Sequence, residues 1–163
     1  MSRAFVKEGD CSLDPLPDLP VSPHPNHVTP TGLAALQQRL RDTQTRLATL
    51  KARPDRLDKL PEAAAERDIR YLESRLRSAI LIDPATLPMT EVAFGHIVTV
   101  ADDAGREHRF QITGEDEADA TAGRITPQSP LARALIGATV GDVVKWRKPS
   151  GSVDLEILAI DRP

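Results

Sequence analysis

The sequence predicts an α+β protein in which an antiparallel helical hairpin, or coiled coil, precedes a small antiparallel β-sheet domain with one short helix. Apolar residues recur at alternating spacings of three and four through residues 33–79, and the period then shifts to two. Only 3% of the 163 residues are aromatic and 40% are apolar, which favours a small core beside an extended element. We therefore divide the chain into residues 1–28, 29–83 and 84–163.

Residues 1–28 are expected to form a proline-rich tail. Five prolines between positions 15 and 25 remove backbone donors and favour extended backbone. The tail is predicted to be mostly disordered, and the alternative is that it packs onto the protein. Cys11 is the single cysteine, so neither an internal disulfide nor a cysteine zinc site is expected.

The first helix is predicted to begin at Thr29, because threonine followed by proline suits the N-cap and first helical positions. Its apolar positions form a narrow seam that runs until Pro54. They are Leu33, Leu36, Leu40, Thr43, Leu47 and Leu50.

A second helix is predicted after Pro61, with the turn between the helices at residues 53–60. Its seam positions are Ala65, Ile69, Leu72, Leu76 and Ala79. Two facing seams joined by a short turn indicate an antiparallel hairpin. The alternative is two helices folded onto the C-terminal domain as ordinary core, which the narrow stripes and heavily charged remaining faces disfavour.

The C-terminal residues alternate as strands do. Strands are predicted at 96–100, 109–113, 143–147 and 153–160, with residues 102–105 as the first hairpin turn. Ser129 and Pro130 are predicted to begin a short helix that Gly137 ends in the left-handed conformation. Trp146 is expected to be core or half-buried.

Charge is distributed unevenly along the chain. Residues 29–82 carry eleven basic and seven acidic residues, whereas residues 83–163 carry eight basic and thirteen acidic ones. This indicates either a partner contacted at two places or two ordinary solvated surfaces. The acidic run at residues 115–119 lacks the spacing of a calcium loop, so we expect a solvated turn there.

No enzyme signature is present in the sequence. The four histidines form no recognisable ligand pair, and there is neither a glycine-rich phosphate loop nor a nucleophile elbow. No run of 18 apolar residues and no secretory signal is found, so a cytoplasmic location is expected.

Four motifs of the C-terminal domain occur in an order that resembles the bacterial Gre family of transcription elongation factors. They are FGHIVTVADDAG, ITGEDEAD, AGRITPQSPLARALIG and VGDVV. The segments VTPTGLAALQQRL and RLRSAILID resemble the start and end of that family's coiled coil. The resemblance implies a domain similar to FK506-binding proteins that binds RNA polymerase at the rim of its secondary channel, while the hairpin enters the channel.

The resemblance also implies where the polymerase would be bound. The residues that match the family's docking loop and the helix after it are Gln128, Ser129, Pro130, Leu131 and Arg133. At the hairpin tip, the basic residues Arg53, Arg56 and Lys59 are expected to contact acidic polymerase surface or nucleic-acid phosphate.

The tip departs from the members of the family that stimulate transcript cleavage. Those members carry Asp-x-x-Glu-Asn, which helps to hold a second magnesium ion, whereas the carboxylates here are Asp55, Asp58 and Glu62 in a different spacing. The hairpin is also roughly 15 residues shorter than a cleaving member's, a loss of about 11 Å in reach. We therefore expect a transcription regulator that is not itself an enzyme and lacks strong cleavage stimulation.

Two other functions remain open at this point. One is a cleavage-stimulating factor that uses the tip carboxylates. The other is a peptidyl-prolyl isomerase, which is disfavoured because Phe94, Phe110 and Trp146 are the only aromatic residues in the domain.

The expected partners follow from the same resemblance. RNA polymerase is the expected partner, together with nucleic acid inside the transcription complex, and no membrane contact is expected. No stably bound cofactor or metal is expected, beyond an indirect role with the polymerase Mg²⁺. The protein itself is expected to be a monomer.

Overall fold

The computed structural model describes residues 14–163, so Cys11 lies outside the described residues. Its helices and strands follow one another in the order predicted for a hairpin and a sheet domain. They are β1 (His27–Val28), α1 (Pro30–Lys51), α2 (Leu60–Ser78), β2 (Ile80–Leu81), β3 (Ile97–Ala101), β4 (Glu107–Ile112), β5 (Arg124–Ile125), α3 (Pro130–Leu135), β6 (Val143–Lys148) and β7 (Gly151–Asp161). The α+β fold class is confirmed.

The two long helices pack against each other, which confirms the hairpin. Thr29 is the N-cap of α1, where its Oγ1 accepts a hydrogen bond from the Gly32 amide at 2.9 Å, and Pro30 is the first helical residue. Leu36 and Leu72 are each 2% exposed and form the centre of the seam. The side chains around them are Val28, Leu33, Leu40, Tyr71, Leu76 and Ala79.

The described part of the proline-rich segment packs onto the hairpin, which differs from the expectation of a mostly disordered tail. β1 pairs with β2 in parallel, and Asn26 is 6% exposed. Farther upstream, Arg70 on α2 donates to the Asp18 carboxylate at 2.6 Å and to the Leu16 carbonyl at 2.8 Å. Prolines leave carbonyl acceptors available along extended backbone, and the arginine uses one of them.

The C-terminal sheet has five strands in the order β5-β4-β3-β7-β6. Helix α3 packs with one face of it around a core formed by buried apolar residues. These are Val92, Phe94, Val98, Val100, Ile112, Leu131, Ala132, Leu135, Leu155 and Ile157.

The expectation of a purely antiparallel sheet is wrong at β5. This two-residue strand pairs with β4 in parallel, whereas the other three pairings are antiparallel. A parallel neighbour requires the chain to cross back before it re-enters the sheet. The crossover here is formed by residues 113–123, which include the acidic run and end at Gly123, whose φ is +75°.

A buried arginine joins the hairpin to this crossover. Arg75 on α2 is 1% exposed, and its Nε donates to Asp116 Oδ2 at 2.5 Å. Its Nη2 donates to Asn26 Oδ1 at 2.6 Å and lies 3.4 Å from Glu115 Oε2. The Tyr71 hydroxyl donates to the second oxygen of Asp116 at 2.5 Å. We call this group, with the Thr29 and Glu117 pair described next, the junction.

The base of α1 meets the same loop. Thr29 Oγ1 donates to Glu117 Oε2 at 2.7 Å while it caps the helix. A Cβ at Gly32 would lie 2.6 Å from that carboxylate oxygen, and one at Gly114 would overlap the His27 carbonyl oxygen. Glycine at both positions therefore allows the loop to approach the hairpin closely.

The expectation of a solvated turn at residues 115–119 is thus wrong. Three of its carboxylates bind groups on the hairpin or the segment before it, and the side chain of Asp116 is only 10% exposed. Burial, together with the hydrogen bond to Asp116, raises the pKa of Tyr71 to about 12. Tyr71 therefore stays a protonated donor to Asp116 throughout the physiological range.

A second buried polar group lies inside the sheet domain. His96 is 0% exposed, and its Nδ1 accepts a hydrogen bond from the Ala93 amide at 3.1 Å. Its Nε2 has no hydrogen-bond partner among residues 14–163. Burial is the main reason that the pKa of His96 lies below its ordinary value, so the folded protein holds this ring neutral.

We predict that Arg75→Met lowers the free energy of unfolding by about 3–5 kcal/mol, because removing one partner leaves buried carboxylates uncompensated. Urea unfolding followed by circular dichroism at pH 7 measures this. Arg77→Met is the matched control, since Arg77 is exposed two positions farther along α2. Equal, small losses in the two variants would contradict the prediction.

We predict that the free energy of unfolding falls as the pH drops below about 6.5. The unfolded chain then binds a proton at His96, whereas burial lowers the pKa of this ring in the folded chain and keeps it neutral. His96→Gln should flatten the dependence of the unfolding free energy on pH between about 7 and 5, whereas His24→Gln at an exposed position should not. Unfolding at several pH values tests this, and an unchanged slope in His96→Gln would exclude the assignment.

Candidate functional site

The hairpin tip holds its carboxylates in internal contacts. Glu62 is 5% exposed and accepts two hydrogen bonds from Arg56, at 2.9 Å from Nε and 2.6 Å from Nη2. Arg53 lies 3.9 Å from the same carboxylate. The hydrogen bonds from Arg56 lower the pKa of Glu62, so this group is a bound anion at neutral pH.

The two tip aspartates shape the turn. Asp55 Oδ1 accepts from the Leu57 amide at 3.0 Å, and Asp58 Oδ1 accepts from the Leu60 amide at 3.0 Å. Both are local side-chain turns that fix the backbone before α2 begins. Asp55 and Asp58 are exposed, whereas Glu62 is buried.

The basic residues of the tip also have contacts of their own. Arg53 donates to the Leu50 carbonyl at 3.1 Å and to the Asp58 carbonyl at 3.2 Å, and Arg56 is paired with Glu62. Lys59 has a partner as well. Arg53 and Arg56 are thus engaged within the tip, and the side chain of Leu57, 94% exposed, projects from it into solvent.

The loop before α3 is built as a rigid helix start, as the sequence predicted. Ser129 Oγ accepts from the Ala132 amide at 3.2 Å and donates to the Thr126 carbonyl at 2.8 Å. Pro130 follows as the first helical residue and is exposed. Gly137, with φ of +85°, lies in the left-handed region just after the helix.

The five predicted docking residues do not all face solvent. Pro130 and Arg133 are exposed, whereas Leu131 is 4% exposed and packs in the core. Leu131 therefore supports the loop from behind instead of offering a contact surface. Gln128 Oε1 is buried and has no hydrogen-bond partner within residues 14–163.

Sequence reasoning missed the residues that fix this loop's domain to the hairpin. Arg75 was counted only as one of eleven basic residues, although it lies three positions after Leu72 and one before Leu76. A charged residue that close to an apolar seam is a signal of burial with a partner. The partners in the crossover lie about 40 positions away and leave no local pattern.

Within residues 14–163, no group of three metal-binding side chains is placed to hold an ion. In the same part of the chain, no helix has the length and apolar character needed to cross a membrane.

Comparison with known proteins identifies the sheet domain. Residues 87–162 match the family described as transcription elongation factor, GreA/GreB, C-terminal. The chain is 41% identical over 101 residues to transcription elongation factor GreA of Pseudomonas putida, which covers 61% of this chain and 63% of that protein. It is 44% identical over 97 residues to GreA of Thioalkalivibrio sulfidiphilus, covering 58% of this chain and 61% of that one. The matched region is thus less than two thirds of these relatives' length.

Two solved structures are similar at lower identity. GreA factor homolog 1 (Gfh1) of Thermus thermophilus is 25% identical with a TM-score of 0.40, covering 84% of this chain and 99% of that one. A GreA/GreB factor from Nitrosomonas europaea is 20% identical with a TM-score of 0.42, covering 83% and 98%. The family match and the sequence identities show that residues 87–162 of this chain are similar to the C-terminal domain of the GreA/GreB transcription elongation factors.

Proposed function

We propose that this protein is a transcription elongation factor that binds RNA polymerase and regulates it without strongly stimulating transcript cleavage. The loop before α3 is the docking site, and the hairpin enters the secondary channel. Such a factor acts in the cytoplasm as an accessory to the polymerase and is not itself an enzyme. The proposed lack of strong transcript-cleavage stimulation rests on one observation, which is that Arg56 donates two hydrogen bonds to the Glu62 carboxylate.

The chemistry of the tip supports this assignment. A magnesium ligand must offer a free carboxylate oxygen at about 2.0–2.1 Å from the ion. Both oxygens of Glu62 already accept hydrogen bonds from the Arg56 guanidinium. Breaking these hydrogen bonds would leave the Glu62 carboxylate, which is only 5% exposed, without its partner. Asp55 and Asp58 each use one oxygen to fix the turn.

A cleavage-stimulating factor is the second candidate, because Asp55 and Asp58 are exposed at the tip. Each has a second oxygen that is free of the turn contact described above. Any support for the polymerase Mg²⁺ would therefore come from these two residues and not from Glu62.

A prolyl isomerase is disfavoured by where the aromatic rings lie. Phe94 packs in the core at 9% exposure. The ring of Trp146 meets Phe110 edge-on with centroids 6.3 Å apart, and Lys148 Nζ lies 3.9 Å from the Trp146 ring centre. These contacts occupy the rings that would have to line a proline-binding pocket.

Docking is tested by a pull-down with core RNA polymerase at physiological salt. We expect Pro130→Asp to reduce binding about tenfold or more, because it places a charge on the docking face. Aspartate suits the first turn of a helix, so the fold should persist. Ala104→Asp, in the turn between β3 and β4, is the control and should bind normally. No binding by the unaltered protein would refute the proposed function.

Cleavage is tested on stalled, backtracked transcription complexes. We expect no shortening of the RNA beyond the polymerase's own rate. Asp58→Asn and Asp55→Asn each keep a side-chain acceptor for the turn while they remove the charge. If the unaltered protein shortens the RNA and either variant abolishes this, the second candidate is correct.

A further inference from the structure

A cationic groove lies between α3 and the edge strand β6. Its volume is about 390 Å³, and its lining residues are Pro130, Arg133, Ala134, Lys145 and Arg147. Val144 and Trp146 of β6 pack toward the core beneath α3, so Lys145 and Arg147 belong to the opposite face. A space lined by both α3 and these two residues must therefore lie at the open edge of β6.

The charge of the groove is opposite to that of its domain. Residues 83–163 carry thirteen acidic and eight basic residues, yet four of the eight basic ones, Arg133, Lys145, Arg147 and Lys148, lie on α3 and β6. Neither the Arg133 nor the Arg147 side chain has an ion-pair or hydrogen-bond partner within residues 14–163. Lys145 lies 3.5 Å from Asp154, but both side chains are about half exposed, so water weakens this pair.

The edge of β6 adds backbone groups to this charge. Among residues 14–163, β6 pairs only with β7, and the order of the sheet leaves its other side without a strand. Lys145 and Arg147 stand two positions apart on one face, which separates them by about 7 Å along the strand. A second copy of β6 would place like charges together, whereas an acidic strand would place opposite ones.

We propose that this groove binds an extended acidic segment of a protein partner, with carboxylates at alternate positions, which adds to the free edge of β6. The backbone of the segment pairs with the strand. Its carboxylates receive hydrogen bonds from Arg147, Lys145 and Arg133, and a planar guanidinium matches a carboxylate with two donors. The groove shares Pro130 and Arg133 with the docking site proposed above, whereas Lys145 and Arg147 on β6 lie outside that site.

An acidic protein segment suits the surface better than nucleic acid does. The excess of acidic residues in the rest of the domain repels a long polyanion, whereas a short segment meets only the local patch. Single-stranded nucleic acid also uses free aromatic faces for stacking. The Trp146 ring offers none, because Lys148 lies over it and Phe110 packs against it.

The test is fluorescence anisotropy with the full chain and a labelled eight-residue peptide of alternating Glu and Thr. Controls are the same peptide with Lys in place of Glu and a single-stranded oligonucleotide of equal charge. We expect binding of the Glu peptide that weakens with salt and falls about tenfold in Lys145→Gln/Arg147→Gln. Arg77→Gln, on the exposed side of α2, should bind as the unaltered protein does.

Charge reversal supplies a second arm that a folding defect cannot mimic. Lys145→Glu/Arg147→Glu should lose the Glu peptide and gain the Lys peptide, with thermal unfolding confirming that it folds. The proposal is overturned if the Glu peptide does not bind, if the Gln variant binds it equally, or if the oligonucleotide binds more tightly than the peptide. Every variant in this test leaves residues 128–133 unchanged, so a variant that loses the peptide but still binds the polymerase separates this proposal from the docking function.

Discussion

The buried Arg75 is the constraint on which the architecture depends. It lies on the hairpin, and its carboxylate partners Asp116 and Glu115 lie on the crossover between β4 and β5. An arginine that is 1% exposed is tolerated only when its charge and donors are matched, so the loop must stay where it is. Since β5 and the loop before α3 follow directly from this crossover, the junction couples the hairpin to the sheet domain.

The pairing of buried charges also explains why the junction and the hairpin tip differ. At the junction, charge pairing connects two parts of the chain that are distant in sequence. At the tip, Arg56 and Glu62 are six residues apart and pair with each other, so the charges there stabilise a turn. The loop before α3 instead leaves Pro130 and Arg133 exposed. The proposed docking site and the hairpin tip are therefore built from different contacts, so a change in one need not alter the other.

Local pattern predicted most of the elements. The seams of α1 and α2, the Thr29 and Ser129 caps and the four longer strands follow from spacing and capping chemistry that act within a few residues. The roles of Arg75, Asp116 and Glu117 could not be predicted, because their partners come from contacts about 40 to 90 positions apart. The two-residue strand β5 and the burial of Leu131 and Glu62 could not be predicted for the same reason. They depend on how distant parts of the chain pack together.

The junction holds the hairpin in one orientation relative to the sheet domain. The most direct test is the distance distribution between spin labels at Leu57→Cys and Val143→Cys, in a chain with Cys11→Ser, measured by pulsed electron paramagnetic resonance. Both labelled positions are exposed. A single narrow distribution that broadens in Asp116→Asn is the predicted result. A broad or bimodal distribution in the chain with an intact junction would contradict it.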